Sequence, residues 1–585
     1  MIPLTADADK NDFFKSKVLG HPAGLFVLFF TEMWERFSYY GMRALLVLFL
    51  ISSLDKGGWA WPEEHALALY GTYTSLVYLT TIMGGFLADK YLGYRWAVVI
   101  GALLMTLGHA SMAMETPTFL YVGIGLLIFG NGFFKPNMTS IVSYMYKDHP
   151  EKKDGAYTIF YMGVNAGAFL GIMLCGYIGE KVSWSWGFGL AGIFMFFGML
   201  QFYFTQGIFG DIGTKPTKAE NLAKANLVDG DKRVPFTTFD VILMVSSLAL
   251  GLLWIINDPY SKISGNNFLD FKVGNLDGSN FTILLGLGIF LVLLVGRILR
   301  YSRVTRDRLI AVTIFAFFTV FFWASFEQAG GSMTIFAEKY TNRAFTGTAA
   351  TIFKIVNTLL TVVPLGIISY VLLRLFSETF KKYALGNMIL ATSFIVIWGV
   401  VIWMLVREFS NPNTEVPASW FGILNSFFII AFAPMVSKVW ESKFNPPAAV
   451  KYGIGMTLLG LGFASLAYGA SGLVSGDITV KVSMIWLVFA YLFHTLGELC
   501  LSPVGLSYVS KLVPARMIGI MFGIWYLAIA IGNKTAGSMG GMINEITAKY
   551  SLTTFFLIFT LVPIGLGVLV ICLHPLLKKL MHGVR

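Results

Sequence analysis

Apolar stretches long enough to cross a lipid bilayer recur along the whole chain and are separated by short polar segments. A helix needs about 20 mainly apolar residues to span the hydrocarbon layer, so the pattern predicts about sixteen spanning helices. A polar linker, 209–237, separates the sixth from the seventh. The predicted bounds are 24–52, 66–88, 96–114, 118–146, 155–179, 187–208, 239–256, 280–298, 309–331, 349–373, 385–406, 418–437, 453–473, 482–508, 517–541 and 553–575.

Ionisable residues (two acids, two arginines and two tyrosines) interrupt the first stretch, between about Ala23 and Ile51, where an ordinary spanning helix would carry leucine. Their spacing places nearly all of them on one stripe of a helix. An ionisable group at that depth costs several kcal/mol unless it is paired or faces a water-filled cavity. We therefore expect the stripe to face the protein interior and to mark a pathway for charged cargo, protons or both. Its members are Glu32, Glu35, Arg36, Tyr39, Tyr40 and Arg43.

The composition is that of a membrane protein, since 56% of the residues are hydrophobic, 13% are charged and the mean hydropathy is +0.70. A soluble chain carries about 25% charged residues. Three cysteines (Cys175, Cys500 and Cys572) lie within apolar stretches, which argues against a disulfide framework or a metal cluster. The polar N-terminal segment has no apolar core of the kind that marks a signal peptide, so we expect none.

The net charge of +11 fits orientation in a membrane better than nucleic acid binding. Cytoplasmic loops of membrane proteins are enriched in lysine and arginine. When the N-terminus is placed in the cytoplasm, most of the basic loop residues fall on that same side of the membrane. The sequence therefore predicts that both termini are cytoplasmic.

Buried charges of opposite sign come from the two halves of the chain. Arg43 and Lys135 lie in the first half, and Glu327 and Glu498 lie in the second. A pair between the halves of an alternating-access protein closes a gate, and separating it leaves both charges available to a zwitterionic cargo. Breaking a buried pair costs about 3–5 kcal/mol. Protonation of the acid removes that obstacle, which gives a physical route to proton coupling.

Three segments carry a resemblance to a known family. Residues 32–41 read EMWERFSYYG and resemble the signature ExxERFxYYG of the proton-dependent oligopeptide transporters, which belong to the major facilitator superfamily. Residues 160–167, FYMGVNAG, and 497–507, GELCLSPVGLS, resemble two further motifs of the same family, in the same order. The resemblance covers nearly all of the core of the chain.

The resemblance implies an all-α integral membrane protein with the major facilitator fold of two six-helix bundles plus inserted helix pairs. Residues 1–208 would form the N-terminal bundle, and 209–308 a cytoplasmic linker with one inserted pair, as in bacterial relatives. Residues 309–585 would form the C-terminal bundle, with a second inserted pair at about 349–406. The sequence assigns this second pair no function, and a peripheral hairpin facing lipid is the simplest interpretation.

The function implied is that of a proton-coupled symporter, not an enzyme, which imports di- and tripeptides by alternating access and recognises their amino and carboxyl termini. The implied partners are di- and tripeptides, protons and membrane lipid, without nucleic acid. The chain would act as a monomer in a bacterial inner membrane, with the proton gradient in place of a cofactor. The alternative is a transporter of the same fold for another small zwitterion, an anion or a drug. An enzyme is disfavoured because the seven histidines are scattered and no hydrolase or metalloprotease motif occurs.

The resemblance also implies roles for the individual residues that match the family's motifs. Arg43 and Lys135 would receive the peptide carboxylate, and Glu327, Asn165 and Asn425 would hold the amino terminus. The implied residues for proton coupling and gating are Glu32, Glu35, Arg36, Glu327 and Glu498. The implied residues for substrate binding are Tyr39, Tyr40, Arg43, Tyr78, Lys135, Tyr161, Asn165, Trp323, Glu327, Asn425, Glu498, Ser502 and Trp525. No metal site is expected.

Three of these assignments have competitors. Asn165, taken singly, is better explained by a packing bond between helices. Asn357, on a predicted inserted helix, competes with Asn425. Gly71 stands near the position where animal members carry a functional histidine, so a relay through that histidine is not expected.

Overall fold

Helices make up most of the protein in the computed structural model. The structure describes residues 17–217, 234–474, 478–513 and 517–584. The first bundle consists of α1 (Ala23–Ile51), α2 (Glu63–Leu87), α3 (Tyr94–Met112), α4 (Pro117–Met145), α5 (Pro150–Lys181) and α6 (Trp184–Thr205). Two inserted helices follow, α7 (Thr238–Ser264) and α8 (Gly278–Ile298). Next come α9 (Arg303–Phe326) and the short α10 (Ser332–Tyr340).

A second inserted pair, α11 (Gly347–Thr379) and α12 (Ala384–Phe409), precedes the remaining helices of the second bundle. These are α13 (Ile423–Glu441), α14 (Ala448–Gly469), α15 (Ile485–Leu512), α16 (Ile518–Gly541), the short α17 (Ile543–Lys549), α18 (Leu552–Cys572) and α19 (His574–Leu580). Short 3-10 helices are Leu54–Lys56, Gln206–Phe209, Glu327–Gly330, Ala418–Gly422 and Ala470–Gly472, and a π-helix spans Ala88–Leu92.

Among the described residues, eight two-residue strands form four small pairs at the ends of helices. β1 (Lys17–Val18) pairs with β2 (His21–Pro22), β3 (Lys272–Val273) with β4 (Leu276–Asp277), and β6 (Ala344–Phe345) with β7 (Thr414–Glu415), all antiparallel. β5 (Thr341–Asn342) pairs in parallel with β8 (Val482–Ser483).

Every predicted span corresponds to a helix, and the all-α membrane fold is confirmed. Thirteen helices of the described chain are long and apolar enough to cross a membrane. α1 is not one of the thirteen, because charged residues occupy its middle. The predicted span 309–331 differs at its end: the helix stops at Phe326, the turn Glu327–Gly330 follows, and Gly331 separates that turn from α10.

Glycines allow the central helices of the first bundle to cross closely. α1 packs on α5 and α6, while α4 packs on α2 and α3. A Cβ at Gly167 of α5 would collide with the Met33 carbonyl of α1, and one at Gly171 would collide with that of Phe37. These crossings bring the charged stripe of α1 next to α5. In the second bundle α14 packs between α15 and α18, and α9 packs on α16.

The two bundles meet along two seams, which are formed by α2 with α16 and by α5 with α13. In the first seam, Gly71 and Gly537 face each other, and a Cβ on either would lie within 3 Å of the other backbone. A larger residue in place of Gly71, such as a histidine, would not fit this crossing without movement of the backbone.

The first inserted pair is fixed to the α2–α16 seam by buried charge. Lys534 of α16 is fully buried and pairs with Asp258 of α7, and its Nζ also lies 2.9 Å from Thr72 Oγ1 of α2. Lys262 of α7 bridges Asp258 and Glu64, each at 3.1 Å. This inserted pair therefore contacts both bundles. Lys534, to which the sequence alone assigns no role, is the ionic anchor.

The second inserted pair rests on the first bundle, although it is encoded in the second half of the chain. α12 packs against α6. The Phe394 ring lies 5.6 Å from those of Phe30 and Trp34 on α1, and Thr361 of α11 donates to the sulfur of Met173 at 3.2 Å. One face of this hairpin is therefore buried against protein.

Candidate functional site

Two carboxylates share one guanidinium in the middle of α1. Arg36 Nε lies 2.8 Å from Glu32 Oε1 and 2.7 Å from Glu35 Oε2, and all three side chains are almost completely buried. Glu35 Oε1 accepts a further hydrogen bond from Asn131 Nδ2 of α4, at 2.8 Å. The helical spacing of three and four residues brings these acids to the same arginine. With both carboxylates ionised, the triad carries one net negative charge.

Two turns further along α1, Arg43 pairs with a residue of the other bundle. Its Nη2 lies 2.5 Å from Oε2 of Glu327, which begins the 3-10 turn after α9. Tyr70 of α2 joins them, because its hydroxyl accepts from Arg43 Nε at 2.7 Å and donates to Glu327 Oε2 at 3.1 Å. The side chains of Arg43 and Glu327 are 12% and 3% exposed, so this pair is largely sheltered from solvent.

A second carboxylate of the second bundle lies close by. Glu498 of α15 accepts a hydrogen bond from Asn425 Nδ2 of α13, at 3.0 Å. Asn425 Nδ2 also lies 3.1 Å from the hydroxyl of Thr495, one turn before Glu498. The amide of Asn425 therefore holds one of the two Glu498 carboxylate oxygens.

Lys135 of α4 supplies the second cation of the first bundle. Its ammonium lies 4.2 Å from the centre of the Tyr78 ring, within the range of a cation–π contact. It also lies close enough to Glu35 for an electrostatic interaction. Tyr78 contacts the rings of Trp323 and Tyr526 in the second bundle at 6.5 and 6.3 Å. The Tyr78 ring therefore contacts Lys135 of its own bundle and aromatic rings of the other bundle.

A cavity between the bundles collects many of these groups. From the predicted set it is lined by Tyr40, Arg43, Tyr78, Trp323, Glu327, Asn425 and Glu498. The first bundle presents guanidinium and phenol groups, and the second presents two carboxylates and an amide. Such a chamber can take a ligand that carries a carboxylate at one end and an ammonium at the other.

The lining, as far as the described residues define it, does not include the predicted residues Tyr39, Tyr161, Asn165 and Ser502. Tyr39 is buried, with its ring 5.7 Å from the Arg36 guanidinium. Asn165 donates to the Tyr161 carbonyl of its own helix at 3.0 Å, and Tyr161 is 47% exposed. Ser502 is partly buried.

Trp525 and the two competing asparagines lie in different surroundings. Trp525 is buried and packs on Gly505 of α15, so its ring fills the space between α15 and α16. Asn425 lines the cavity, whereas Asn357 lies on α11 among the inserted helices, where its carbonyl accepts from Thr361.

Sequence reasoning missed Tyr70 and Asn131, which hold the two ionic clusters in place. Each had a signal in its spacing. Tyr70 precedes Tyr78 by eight residues, and Asn131 precedes Lys135 by four, so each shares a helical face with a predicted site residue.

The end of the protein that carries the α1–α2 loop is closed by polar contacts between the bundles. Glu63, at the start of α2, pairs with Lys339 of α10 and accepts from Asn544 of α17 at 2.6 Å. The Arg43–Glu327 pair lies between this closure and the charged triad along α1. The cavity is therefore closed off on the side remote from the linker.

Comparison with known proteins places the chain among transporters. A family model for the POT family matches residues 95–408 and 392–556. The chain is 29% identical over 584 residues to the peptide transporter YePEPT of Yersinia enterocolitica, with 97% of this chain and 96% of that protein aligned. It is 28% identical over 574 residues to the di-/tripeptide transporter of Lactococcus lactis subsp. cremoris, covering 97% of this chain and 98% of that protein.

Solved structures agree with the sequence matches. A crystal structure of a peptide transporter, POT, in complex with sulfate aligns with a TM-score of 0.70 at 29% identity. The alignment covers 98% of this chain and 99% of that one. The fold and the order of its helices are therefore shared over nearly the whole length.

Proposed function

The chain belongs to the POT family, and we propose that it imports di- and tripeptides together with protons across a bacterial inner membrane. The observation that carries the proposal is the Arg43–Glu327 pair, which joins the two bundles within the cavity. The carboxylate of a zwitterionic peptide could pair with Arg43 and its ammonium with Glu327. The ion pair between the bundles would then be replaced by two ion pairs with the peptide.

Recognition would use the two ends of the peptide. The carboxylate would bind Arg43 and Lys135, since charge-assisted hydrogen bonds to two cations are stronger than neutral ones. The amino terminus would bind Glu327, with Glu498, Asn165 and Asn425 nearby. Trp323, Trp525 and Ser502 would shape the space for side chains. Because the termini supply most of the charge, peptides of many sequences would fit.

Transport would follow from movement of one bundle against the other. The contacts of Glu63 with Lys339 and Asn544 join the bundles at the end that we assign to the outside, so the cavity would be closed to the outside in this conformation. The assignment rests on the excess of lysine and arginine in the loops on the linker side, which supports a cytoplasmic position for both termini. Alternating access requires the outer contacts to separate when the inner end closes.

Proton coupling would use the triad of Glu32, Glu35 and Arg36. Protonation of Glu35 removes one of the two negative charges that face Arg36 and changes the field at Lys135. Lys135 would then bind the peptide carboxylate more strongly. Proton entry and peptide binding would in this way favour each other.

The proposal is tested by uptake in proteoliposomes that contain the purified protein and a pH-sensitive dye. Addition of dialanine outside should acidify the lumen, and labelled dialanine should accumulate against its gradient when the outside is acidic. Liposomes without protein and a dialanine blocked at both termini are the controls. Accumulation without proton movement would refute coupling, and equal inhibition by the blocked peptide would refute recognition of the termini.

A transporter of the same fold for another small zwitterion, an anion or a drug is the second candidate. It is favoured by the character of the cavity, where the polar contacts come from groups that recognise charge rather than a particular side chain. Competition of dialanine uptake by amino acids, nitrate and peptides separates the two. Stronger competition by a single amino acid or by nitrate than by peptides would favour the alternative.

A further inference from the structure

One face of α5 is devoted to contacts with the segment that leads into α13. Its residues follow the helical spacing of three, four, seven and eight positions from Met173. The Met173 carbonyl accepts from the Trp420 indole at 2.9 Å, and Tyr177 donates to Glu408 at 2.7 Å. Glu180 and Lys181 complete the face near the end of α5.

Glu180 makes the densest set of these contacts. Its Oε2 accepts from the Ala418 amide at 2.8 Å, and its Oε1 accepts from the Ser419 amide at 2.9 Å and the Ser419 hydroxyl at 2.5 Å. Gly176, one turn earlier, makes room for this approach, because a Cβ there would collide with the Ser419 hydroxyl. One carboxylate of the first bundle thus satisfies three donors of the second.

The donors belong to a segment that ends in the site. Ala418–Gly422 is a 3-10 turn that continues directly into α13, whose third residue is Asn425. Asn425 in turn holds Glu498 at 3.0 Å. Movement of Ala418 and Ser419 away from α5 would therefore move the amide that positions this carboxylate.

We propose that Glu180 is a positioning residue that latches the first bundle to the start of α13, closing the outer end of the α5–α13 seam and fixing Asn425 against Glu498. The proposal rests on the alternating-access function above, because only such a cycle requires this latch to open. Opening exposes a carboxylate and two amides that were bonded to each other. Charge-assisted bonds of this kind favour the closed form more than neutral ones do.

Glu180→Gln tests the latch with almost no change of shape. One carboxylate oxygen becomes an NH2 group, which cannot accept from a backbone amide. The loss of one such bond should shift the equilibrium toward the outward-facing form by about tenfold. Lys181→Gln is the matched control, since Lys181 lies on the same helical face but forms only a partly exposed pair with Glu415, at 3.4 Å.

The readout is the distance between spin labels at Leu54 and Tyr468, which lie at the outer end of opposite bundles and are 74% and 69% exposed. In nanodiscs, Glu180→Gln should gain a population at longer distance, whereas Lys181→Gln should match the unsubstituted protein. A distance distribution unchanged by Glu180→Gln overturns the proposal. An equal shift in both variants also overturns it, because the effect would then not be specific to the carboxylate.

Folding and transport are checked on the same samples. If Glu180→Gln does not fold, Ser419→Ala, which removes only the hydroxyl bond, should give a smaller shift in the same direction, and no shift would overturn the latch. Dialanine uptake by the unsubstituted protein separates the two proposals. Normal uptake with unchanged distances refutes the latch alone, whereas a shift in distance without any peptide uptake refutes the transport function alone.

Discussion

Arg43 and Glu327 come from opposite bundles and approach to 2.5 Å between Nη2 and Oε2, with the Tyr70 hydroxyl bonded to both. This contact ties the first bundle to the second at the level of the cavity. Removal of either partner would leave the other as an unpaired charge with little access to solvent. Under the proposed function, this pair would be the place where a cargo with two charges acts on the conformation of the protein.

The first prediction concerns this pair. Glu327→Ala should weaken the binding of unblocked dialanine by tenfold or more, because a charged hydrogen bond is worth about 1.5–3 kcal/mol. Lys135→Ala should have a similar effect through the peptide carboxylate. Binding is measured by inhibition of uptake over a range of dialanine concentrations. Asp270→Asn, in an exposed loop, is the control, and wild-type affinity in Glu327→Ala would contradict the assigned role.

The second prediction separates coupling from transport. Glu35→Gln should abolish uptake driven by a proton gradient, because the side chain no longer gains and loses a proton. Counterflow exchange, which needs only the movement of loaded protein, should remain. Both are measured with labelled dialanine in the same proteoliposomes. Glu378→Gln, at an exposed position of α11, should leave both intact, and uphill uptake by Glu35→Gln would exclude Glu35 from coupling.

The third prediction concerns the anchor of the first inserted pair. Asp258→Asn leaves the buried Lys534 without its anionic partner and should lower stability by about 3–5 kcal/mol. The melting temperature in detergent should fall accordingly. The double variant Asp258→Asn with Lys534→Met should recover most of the loss, because no buried charge then remains. Equal melting temperatures for Asp258→Asn and the unsubstituted protein would show that Lys534 finds another partner.

The fourth prediction concerns the second inserted pair. Phe394→Ala removes a buried ring that contacts Phe30 and Trp34, and should destabilise the protein by about 3–5 kcal/mol. The adjacent Ile395 is 73% exposed, so Ile395→Ala should change stability by less than about 1 kcal/mol. The comparison is made by thermal unfolding. Similar losses for both variants would indicate that the hairpin does not dock through Phe394.

Contacts within one helix could be read from the sequence. The triad of Glu32, Glu35 and Arg36 follows from spacing alone, because residues three and four apart meet on a helix. The helices could be read as well, since each is a long apolar run. Their approximate bounds differed from those observed mainly where polar first turns, as at Pro150, extend a helix beyond its apolar part.

Contacts between distant segments could not be read in this way. Arg43 and Glu327 are 284 positions apart, and the sequence supplied only their opposite charges. The spacing of Tyr70 from Tyr78 indicates a shared helical face, but it does not indicate a contact with Arg43 or Glu327. The packing of α12 on α6 could not be predicted from the sequence either. A helix that is apolar on all sides has no pattern that distinguishes the side facing protein from the side facing lipid.

The position of the second inserted pair has a consequence for how the chain can be divided. Division of the chain in the linker would give a fragment of six helices in which Phe30 and Trp34 no longer contact the ring of Phe394. The other fragment would carry the second inserted pair without the bundle on which it packs. The packed unit that contains the first bundle is thus assembled from two separate stretches of the chain. Recovery of a folded protein from two co-expressed fragments should consequently depend on which fragment carries α11 and α12. A boundary placed in the linker, after the first six helices, would separate these two helices from the bundle on which they pack.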